Sequence, residues 1–376
     1  MRLLIYFALM SFATNALANN IIEGNQGSKI KGSVVERFQN PWAMSFISSD
    51  RLLVTTKSGD LWLVNASGEK SLVAGVPNVF YGGQGGLGDV VPHPNFKQNK
   101  FIYISYISSD TAGDTRYATV VRAELNIKNS PKLENITTVW NQTPARPGKG
   151  HFSHKITFGQ QGSKHDGKIF ITSGDRQEQA PAQHWDKALG KIIRLNDDGS
   201  VPGDNPFQDR GELAKTFWSI GHRNSLGIAF NQNGELWAHE MGPKHGDELN
   251  LILPGANYGW PIVSEGNHYS GVVIPTHDTR PEFQKPKLFW VPTVAPSGLF
   301  FYQGDEFPDW NGDAFLGGLK GRALVRIEFQ NHLPVEAERF SWSQRVRDVE
   351  LGSDGAIWAL EDGRSGRLIK FIKAQR

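Results

Sequence analysis

The chain contains no cysteine, so no disulfide can staple it, and its stability must come from a packed core or from bound metal. It has almost no helical periodicity; short alternating strands bounded by Gly, Asp and Asn recur instead, which makes the class all-β. It lacks any block of five or six basic residues, and 40 basic against 38 acidic side chains leave a net charge of only +2, so a nucleic-acid or membrane-surface partner has no electrostatic footprint. No apolar run reaches the roughly 20 residues a membrane span needs. The nearest approach, Leu3 to Ala13, is cut short by Asn15, Asn19 and Asn20. With Arg2 before it and Ala16-Leu17-Ala18 after it, this segment reads as a secretory signal over residues 1–18, and its removal takes the net charge from +2 to +1. The expected location is therefore periplasmic or secreted, with no span in the mature chain. What remains, residues 19–376, is ample for one large domain, and 39% hydrophobic with 21% charged content is ordinary for a globular protein.

The strands recur in a fixed order: an apolar strand, a turn, a second strand, a tight Gly turn and a third strand. Six such units are present. "WAMSFI", "RLLVTT" and "GDLWLV" form the first; "HKITFG", "GKIFITSGD" and "GKIIRLN" form the third; "LGIAFN", "GELWAHEMG" and "GDELNLIL" form the fourth. Their middle strands are predicted to begin near Leu52, Phe101, Ile169, Leu236, Ala314 and Ile357, an uneven spacing of 43 to 78 residues set by loops of different length. All units but the last are followed by a fourth, aromatic-tipped strand, such as "TFWSIG" and "KLFWVP". The last runs out of chain. "SVVERFQNP", Ser33 to Pro41, resembles the outer strand "AERFSW" and can supply what is missing, which predicts a six-bladed β-propeller closed by pairing of an N-terminal strand with the last blade. A tandem of β-sandwiches would leave that resemblance unexplained.

In such a blade the start of the first strand and the end of the second lie at the same mouth of the central channel. Before first strands stand Gln84, His151, Arg223 with Asn224, and Arg345 with Arg347; after second strands stand Asp175, Gly242-Pro243 and Lys320. Arginine forks bind carboxylates bidentately and lysine adds a point charge, so one mouth holding these groups suits a small polyanion. Singly, each is an ordinary turn residue; their joint placement is the signal. His151 and Asp175 share a blade one strand apart, which suits a carboxylate fixing the tautomer of a general base. The other histidines, His93, His154, His165, His184 and His222, show no such partner and read as structural. The stretch "HEMGPKHGDELN" suggests a zinc site, but His239 and His245 are six apart across a Gly-Pro step, whereas the zinc helix motif needs histidines at i and i+4.

Taken in order, "QGGLGDVVPHPNF", "GHFSHKITFG", "ITSGDR", "GHRNSLGIAF", "HEMGPKHGDELNLILPGANYGWP", "PTVAPSG", "GLKG" and "RVRDV" closely resemble the calcium-dependent quinoprotein glucose/sorbosone dehydrogenases, in particular their shorter aldose sugar dehydrogenase branch. The resemblance implies pyrroloquinoline quinone and calcium as cofactors, an aldose sugar as substrate and an external electron acceptor. It implies oxidation at C1 to the lactone, with His151 removing the hydroxyl proton as hydride passes to the quinone C5. Asp175 would orient that base, Arg223 cover the cofactor plane and Asn224 bond its quinone oxygen, while Gln84, Lys320, Arg345 and Arg347 hold its carboxylates and reacting edge. The carbonyls of Gly242 and Pro243 would hold the catalytic calcium, with Glu248 and Tyr258 at a second, structural one, leaving His239 and His245 as bystanders. The stretch that pairs subunits in the larger glucose dehydrogenases is not evident, so a monomer is expected. A calcium-dependent propeller lactonase is the rival enzyme, but it holds its metal with carboxylates and Asn, and Asp175 is the one carboxylate assigned to this basic mouth. A non-catalytic exported propeller that binds a partner would have no need of a His/Asp pair in a basic funnel.

Overall fold

The computed structural model describes residues 20–374, and the expected signal peptide falls outside them. Six antiparallel sheets stand in a ring, five of four strands and one of five. The innermost strands are Pro41–Phe46, Leu87–Pro92, Ser153–Phe158, Ser225–Phe230, Pro296–Phe301 and Val346–Leu351, and each touches the innermost strands of both neighbouring blades. The second strands begin at Arg51, Phe101, Lys168, Leu236, Ala314 and Ile357, within one residue of the predicted positions. No helix among the described residues is long and apolar enough to cross a membrane.

The second strands are buried on both faces rather than alternating: Leu52, Leu53 and Val54 are buried in succession. The cause is the ring itself, because each blade presses one face on the blade before it and the other on the blade after. The apolar core is accordingly divided among the junctions. Tyr103, Val120 and Trp140 meet Ile169, Ile193 and Phe217 between the second and third blades. Phe300, Phe315 and Phe340 meet Val349, Ile357 and Phe371 between the fifth and sixth. Met44, Leu52 and Val54 meet Trp358, Leu360 and Leu368 between the first and the sixth, where the ring closes.

The closing strand is Lys29–Phe38, paired with Gly366–Lys373 from Ile30↔Lys373 to Phe38↔Gly366. It starts and stops earlier than the expected Ser33–Pro41, because Pro41 already opens the innermost strand of the first blade. A further strand, Asn20–Glu23, pairs outside it and makes the sixth sheet five-stranded, an addition the repeat pattern does not predict.

Every innermost strand carries a register shift at its start. The ladder skips position 42 in the first blade, 88–89 in the second, 154–155 in the third, 226 in the fourth, 298–299 in the fifth and 347 in the sixth. Bulges of this kind re-aim side chains out of the pleat. Repeated six times at one end of the ring, they send Trp42, Asp89, His154, Lys155, Leu226 and Arg347 toward the axis instead of into the blade junctions. The mouth is thus built by a backbone irregularity common to all blades.

Candidate active site

At that mouth lies a cavity of about 270 Å³ whose polar lining includes Lys57, Gln84, Asn224, Arg345, Arg347 and Asp362, with Trp42, Phe152, Leu226 and Leu319 among its apolar walls. Asp362 Oδ1 accepts from Arg347 Nη2 at 3.0 Å and Nε at 3.2 Å, its Oδ2 accepts from Arg345 Nε at 2.9 Å, and Lys57 Nζ stands 3.6 Å from Oδ1. Burial pushes the Asp362 carboxyl up, but Arg347, Lys57 and Arg345 together hold it far below the ordinary carboxylate value. Burial, and then the charge of Arg347, push Lys57 down. Three cations sharing one carboxylate leave positive charge uncompensated in a confined space, and a bound anion would relieve it.

His151 stands on the loop before the third blade with φ of 48°, the left-handed region. The loop is held there from several sides. The His151 N–H donates to Gln84 Oε1 at 2.7 Å. The Arg176 guanidinium, packed 3.8 Å over the Phe152 ring, donates to the carbonyls of Arg116 at 2.7 Å and of Gly148 and Gly150 at 3.0 Å. Glycine is required at Gly174, where a Cβ would lie 2.1 Å from the His151 carbonyl oxygen. So fixed, His151 places Nδ1 2.7 Å from Asp175 Oδ1. A carboxylate only accepts, so the proton of the neutral ring sits on Nδ1, and Nε2 keeps its lone pair with no protein partner among the described residues. Asp175 is fully buried and bonded at both oxygens: Oδ1 also accepts from the Gln177 N–H at 2.8 Å, and Oδ2 from Trp260 Nε1 at 2.8 Å.

Arg223 and Asn224 stand before the fourth blade. Glu240 Oε2 accepts from the Arg223 backbone N–H at 2.5 Å, and the Met241 carbonyl accepts from Arg223 Nη1 at 2.8 Å, which leaves Arg223 Nε buried without a partner. Asn224 Oδ1 accepts from Ser153 Oγ at 3.2 Å, while its amide group finds only the Met241 sulfur at 3.9 Å and keeps donor capacity for the cavity.

The Gly242-Pro243 turn is organised by Asp247, whose Oδ1 accepts from the Gly242 N–H at 3.0 Å and whose Oδ2 accepts from the N–H groups of Val294 and Ala295 at 2.7 Å. A Cβ at Gly242 would lie 2.1 Å from the His245 carbonyl oxygen, so this close turn admits glycine alone. Neither the Gly242 nor the Pro243 carbonyl accepts a hydrogen bond among the described residues. Beside the turn a void of about 10 Å³ is bounded by Arg223, Gly242, Glu248 and Tyr258. Burial, and then the neighbouring Glu240, push the Glu248 carboxyl up to about 8. The Tyr258 hydroxyl donates to the Leu251 carbonyl at 2.5 Å, and the Tyr258 carbonyl lies 3.1 Å from His277 Nε2, so both of its oxygens are already engaged.

Gln84, Asn224, Arg345 and Arg347 line the cavity and Arg223, Gly242, Glu248 and Tyr258 the small void; His151, Asp175, Pro243 and Lys320 line neither, His151 being joined to the cavity wall through Gln84, and the histidine in that wall is His154. Lys320, in the turn after Ala314–Gly318, is exposed and lies outside the cavity lining, its N–H bonded to the Val294 carbonyl at 3.0 Å. His239 is buried, its Nε2 2.8 Å from the Gly298 carbonyl. Asp175 is not the only carboxylate at the mouth, because Asp362 is there too. Lys57 and Asp362 follow the second strands of the first and sixth blades, the slot that yielded Asp175 and Lys320, so the same positional rule would have found them. Trp260 carries no such signal, coming from the long excursion between Asp247–Leu251 and Leu288–Trp290. His222 and His93, read as partnerless, pair with carboxylates: His222 Nδ1 lies 3.0 Å from Glu240 Oε1 and His93 Nε2 3.1 Å from Asp197 Oδ2.

The family model for glucose/sorbosone dehydrogenase matches residues 38–370. Aldose sugar dehydrogenase YliI of Escherichia coli is 35% identical, over 89% of this chain and 90% of that protein. Quinoprotein glucose dehydrogenase B of Acinetobacter calcoaceticus is 26% identical over 90% and 86%. Among solved structures, the PQQ-bound aldose sugar dehydrogenase of Streptomyces coelicolor superposes with a TM-score of 0.75 at 25% identity, covering 92% of this chain and 98% of that one. A match over nearly the whole propeller, from the closing strand to the last blade, shows that this chain belongs to the glucose/sorbosone dehydrogenase family.

Proposed function

We propose that the protein is an exported, pyrroloquinoline quinone- and calcium-dependent aldose dehydrogenase that oxidises the C1 hydroxyl of a sugar to the lactone and passes the electrons to an external acceptor. The observation that carries this reading is a buried His151–Asp175 pair, joined through Gln84 to a cavity with excess positive charge. The quinone fits on three counts: the shared cations around Asp362 suit a tricarboxylate, the Asn224 amide is free to donate, and Arg223 Nε lacks a partner. Arg345, Arg347, Gln84 and Lys320 would hold its carboxylates and edge, with Arg223 over its plane and Asn224 at a quinone oxygen. The free carbonyls of Gly242 and Pro243 suit calcium, a hard cation that takes backbone oxygens, with Glu248 and Tyr258 beside a second ion. When bound, the quinone supplies the hydride acceptor and calcium polarises it.

The chain's own residues do the proton chemistry. His151 Nε2, which has no protein partner among the described residues, takes the C1 hydroxyl proton, and Asp175 stabilises the imidazolium that forms. Glucose-dependent reduction of a redox dye by the mature protein, supplied with quinone and calcium, is the direct test. Failure of the quinone to bind at micromolar concentration with metal present would overturn the proposal.

The burial difference between the two kinds of cation gives a graded prediction. Arg347 is 8% exposed and fixed by Asp362, whereas Lys320 is exposed and unfixed. A charge-assisted hydrogen bond is worth about 1.5–3 kcal/mol and each 1.4 kcal/mol is tenfold in affinity, so Arg347→Ala should weaken quinone binding by roughly 10–100-fold. Lys320→Ala should weaken it less. Titration of the quinone into each variant would expose the reverse order, which would mean that the anion sits over the fifth blade instead of the sixth.

A further inference from the structure

Trp260 touches two of the proposed functional groups. Its indole Nε1 donates to Asp175 Oδ2 at 2.8 Å, and its face lies 5.2 Å from the Arg223 guanidinium carbon. The two contacts use opposite parts of the ring's charge distribution: the positive N–H edge meets a carboxylate and the negative face meets a cation. The ring is anchored independently of both. Its backbone N–H donates to the Gly221 carbonyl at 3.0 Å, its carbonyl accepts from Gln183 Nε2 at 2.8 Å, and the side chain, 5% exposed, packs with Ala182 and Ile274.

Trp260 completes the set of bonds that holds both oxygens of Asp175. His151 Nδ1 and the Gln177 N–H occupy Oδ1, so the indole N–H is the group that fixes Oδ2 and with it the plane of the carboxylate. That plane sets the ring orientation and tautomer of His151. We propose that Trp260 is a positioning residue that locks the Asp175 carboxylate through its N–H, and holds Arg223 against its face, so that base and cofactor-covering cation are set by one side chain of the fourth-blade excursion. The role in turnover rests on the dehydrogenase reading; the effect on His151 does not.

Trp260→Phe keeps the packing and the cation–π face but deletes the donor. In cofactor-free protein the His151 ring, followed by NMR, should then titrate at higher pH, because Asp175 loses a donor that disperses its charge while still facing the imidazole. The other charged groups nearby are unchanged: the Arg176 guanidinium points to the loop carbonyls, and Arg223 stays against the ring. In the reconstituted enzyme kcat should fall about 10–100-fold, the usual consequence of removing such a supporting hydrogen bond, with KM for sugar little changed. Ile274→Ala, which loosens the same packing and leaves the N–H, should lower stability and move neither readout. The proposal is overturned if His151 titrates identically in Trp260→Phe and wild type, or if Ile274→Ala reproduces the change. In wild-type protein the Trp260 indole N–H resonance should follow the His151 titration, a check that survives any folding failure of the variant; indifference to it would also overturn the proposal. Wild type without dye reduction would overturn the dehydrogenase reading and leave the NMR result standing.

Discussion

His151→Ala should lower kcat by about 10³–10⁴-fold, the loss expected when the base of such a pair is removed, while quinone binding stays within a fewfold of wild type. The separation is possible because the backbone at 151, not the imidazole, holds the mouth together. Gln84 accepts from the His151 N–H, and Arg176 fastens the preceding carbonyls. The side chain itself bonds only to Asp175. Because φ is 48° at this position, a variant tolerant of left-handed backbone is the sharper probe. His151→Asn keeps a residue enriched in that region, lacks a base, and should lose the same activity without a loss of stability. Steady-state kinetics beside a binding titration checks both arms. A kcat within tenfold of wild type would remove His151 from the chemistry, and lost binding would mean the imidazole belongs to the cofactor pocket.

The parts of this site that could be read from sequence are those governed by period and position. Strand starts followed from alternation and Gly turns, and ring closure from the resemblance between two outer strands, because these are local patterns with long-range consequences. The slot rule placed His151 beside Asp175 because both lie at ends of strands whose pairing is antiparallel, Ser153 facing Ser173. Side-chain direction was not legible. The bulges that turn Trp42, Asp89 and Lys155 toward the axis leave no composition signature, and Lys320, in the right slot, is exposed because nothing in its tight turn draws it inward. Trp260 was hidden for a different reason: its position depends on how the fourth-blade excursion folds back over the third blade, where Tyr258 and Trp260 donate to the Ile220 and Gly221 carbonyls. Such contacts come from tertiary packing that no short window encodes.

Lys155→Met should cost about 3–5 kcal/mol of stability, the range for breaking a buried ion pair by removing one partner. Lys155 Nζ lies 2.8 Å from Asp89 Oδ1, 3.3 Å from Asp348 Oδ1 and 5.1 Å over the Trp42 ring, all within the channel. The two carboxylates are tied to further blades in turn: Asp89 Oδ2 accepts from the Ile156 N–H at 2.8 Å, and Asp348 Oδ2 from the Met44 N–H at 2.9 Å. One ammonium thus links strands of the second, third and sixth blades, and through Asp348 the first, at the seam where the ring closes. Burial would push Lys155 down, but Asp348 and Asp89 hold it above its ordinary value. A group whose folded value is raised contributes its stability fully below the unfolded value and loses it only as pH rises through the folded one, so the contribution is complete at neutral pH. Methionine has a similar length but leaves Asp89, Asp348 and the nearby Glu350 facing one another. Burial, and then Asp348 and Asp89, already push the Glu350 carboxyl up to about 8 with the lysine present. The denaturation midpoint should therefore fall in urea without a change in slope. It should largely recover in the triple variant Asp89→Asn, Asp348→Asn, Lys155→Met, where the two carboxylates that bond the ammonium are neutral as well. A cost under about 1 kcal/mol for Lys155→Met alone would place the ammonium in solvent-like surroundings, where ion pairs contribute little. The packed blade junctions alone would then have to hold the ring closed.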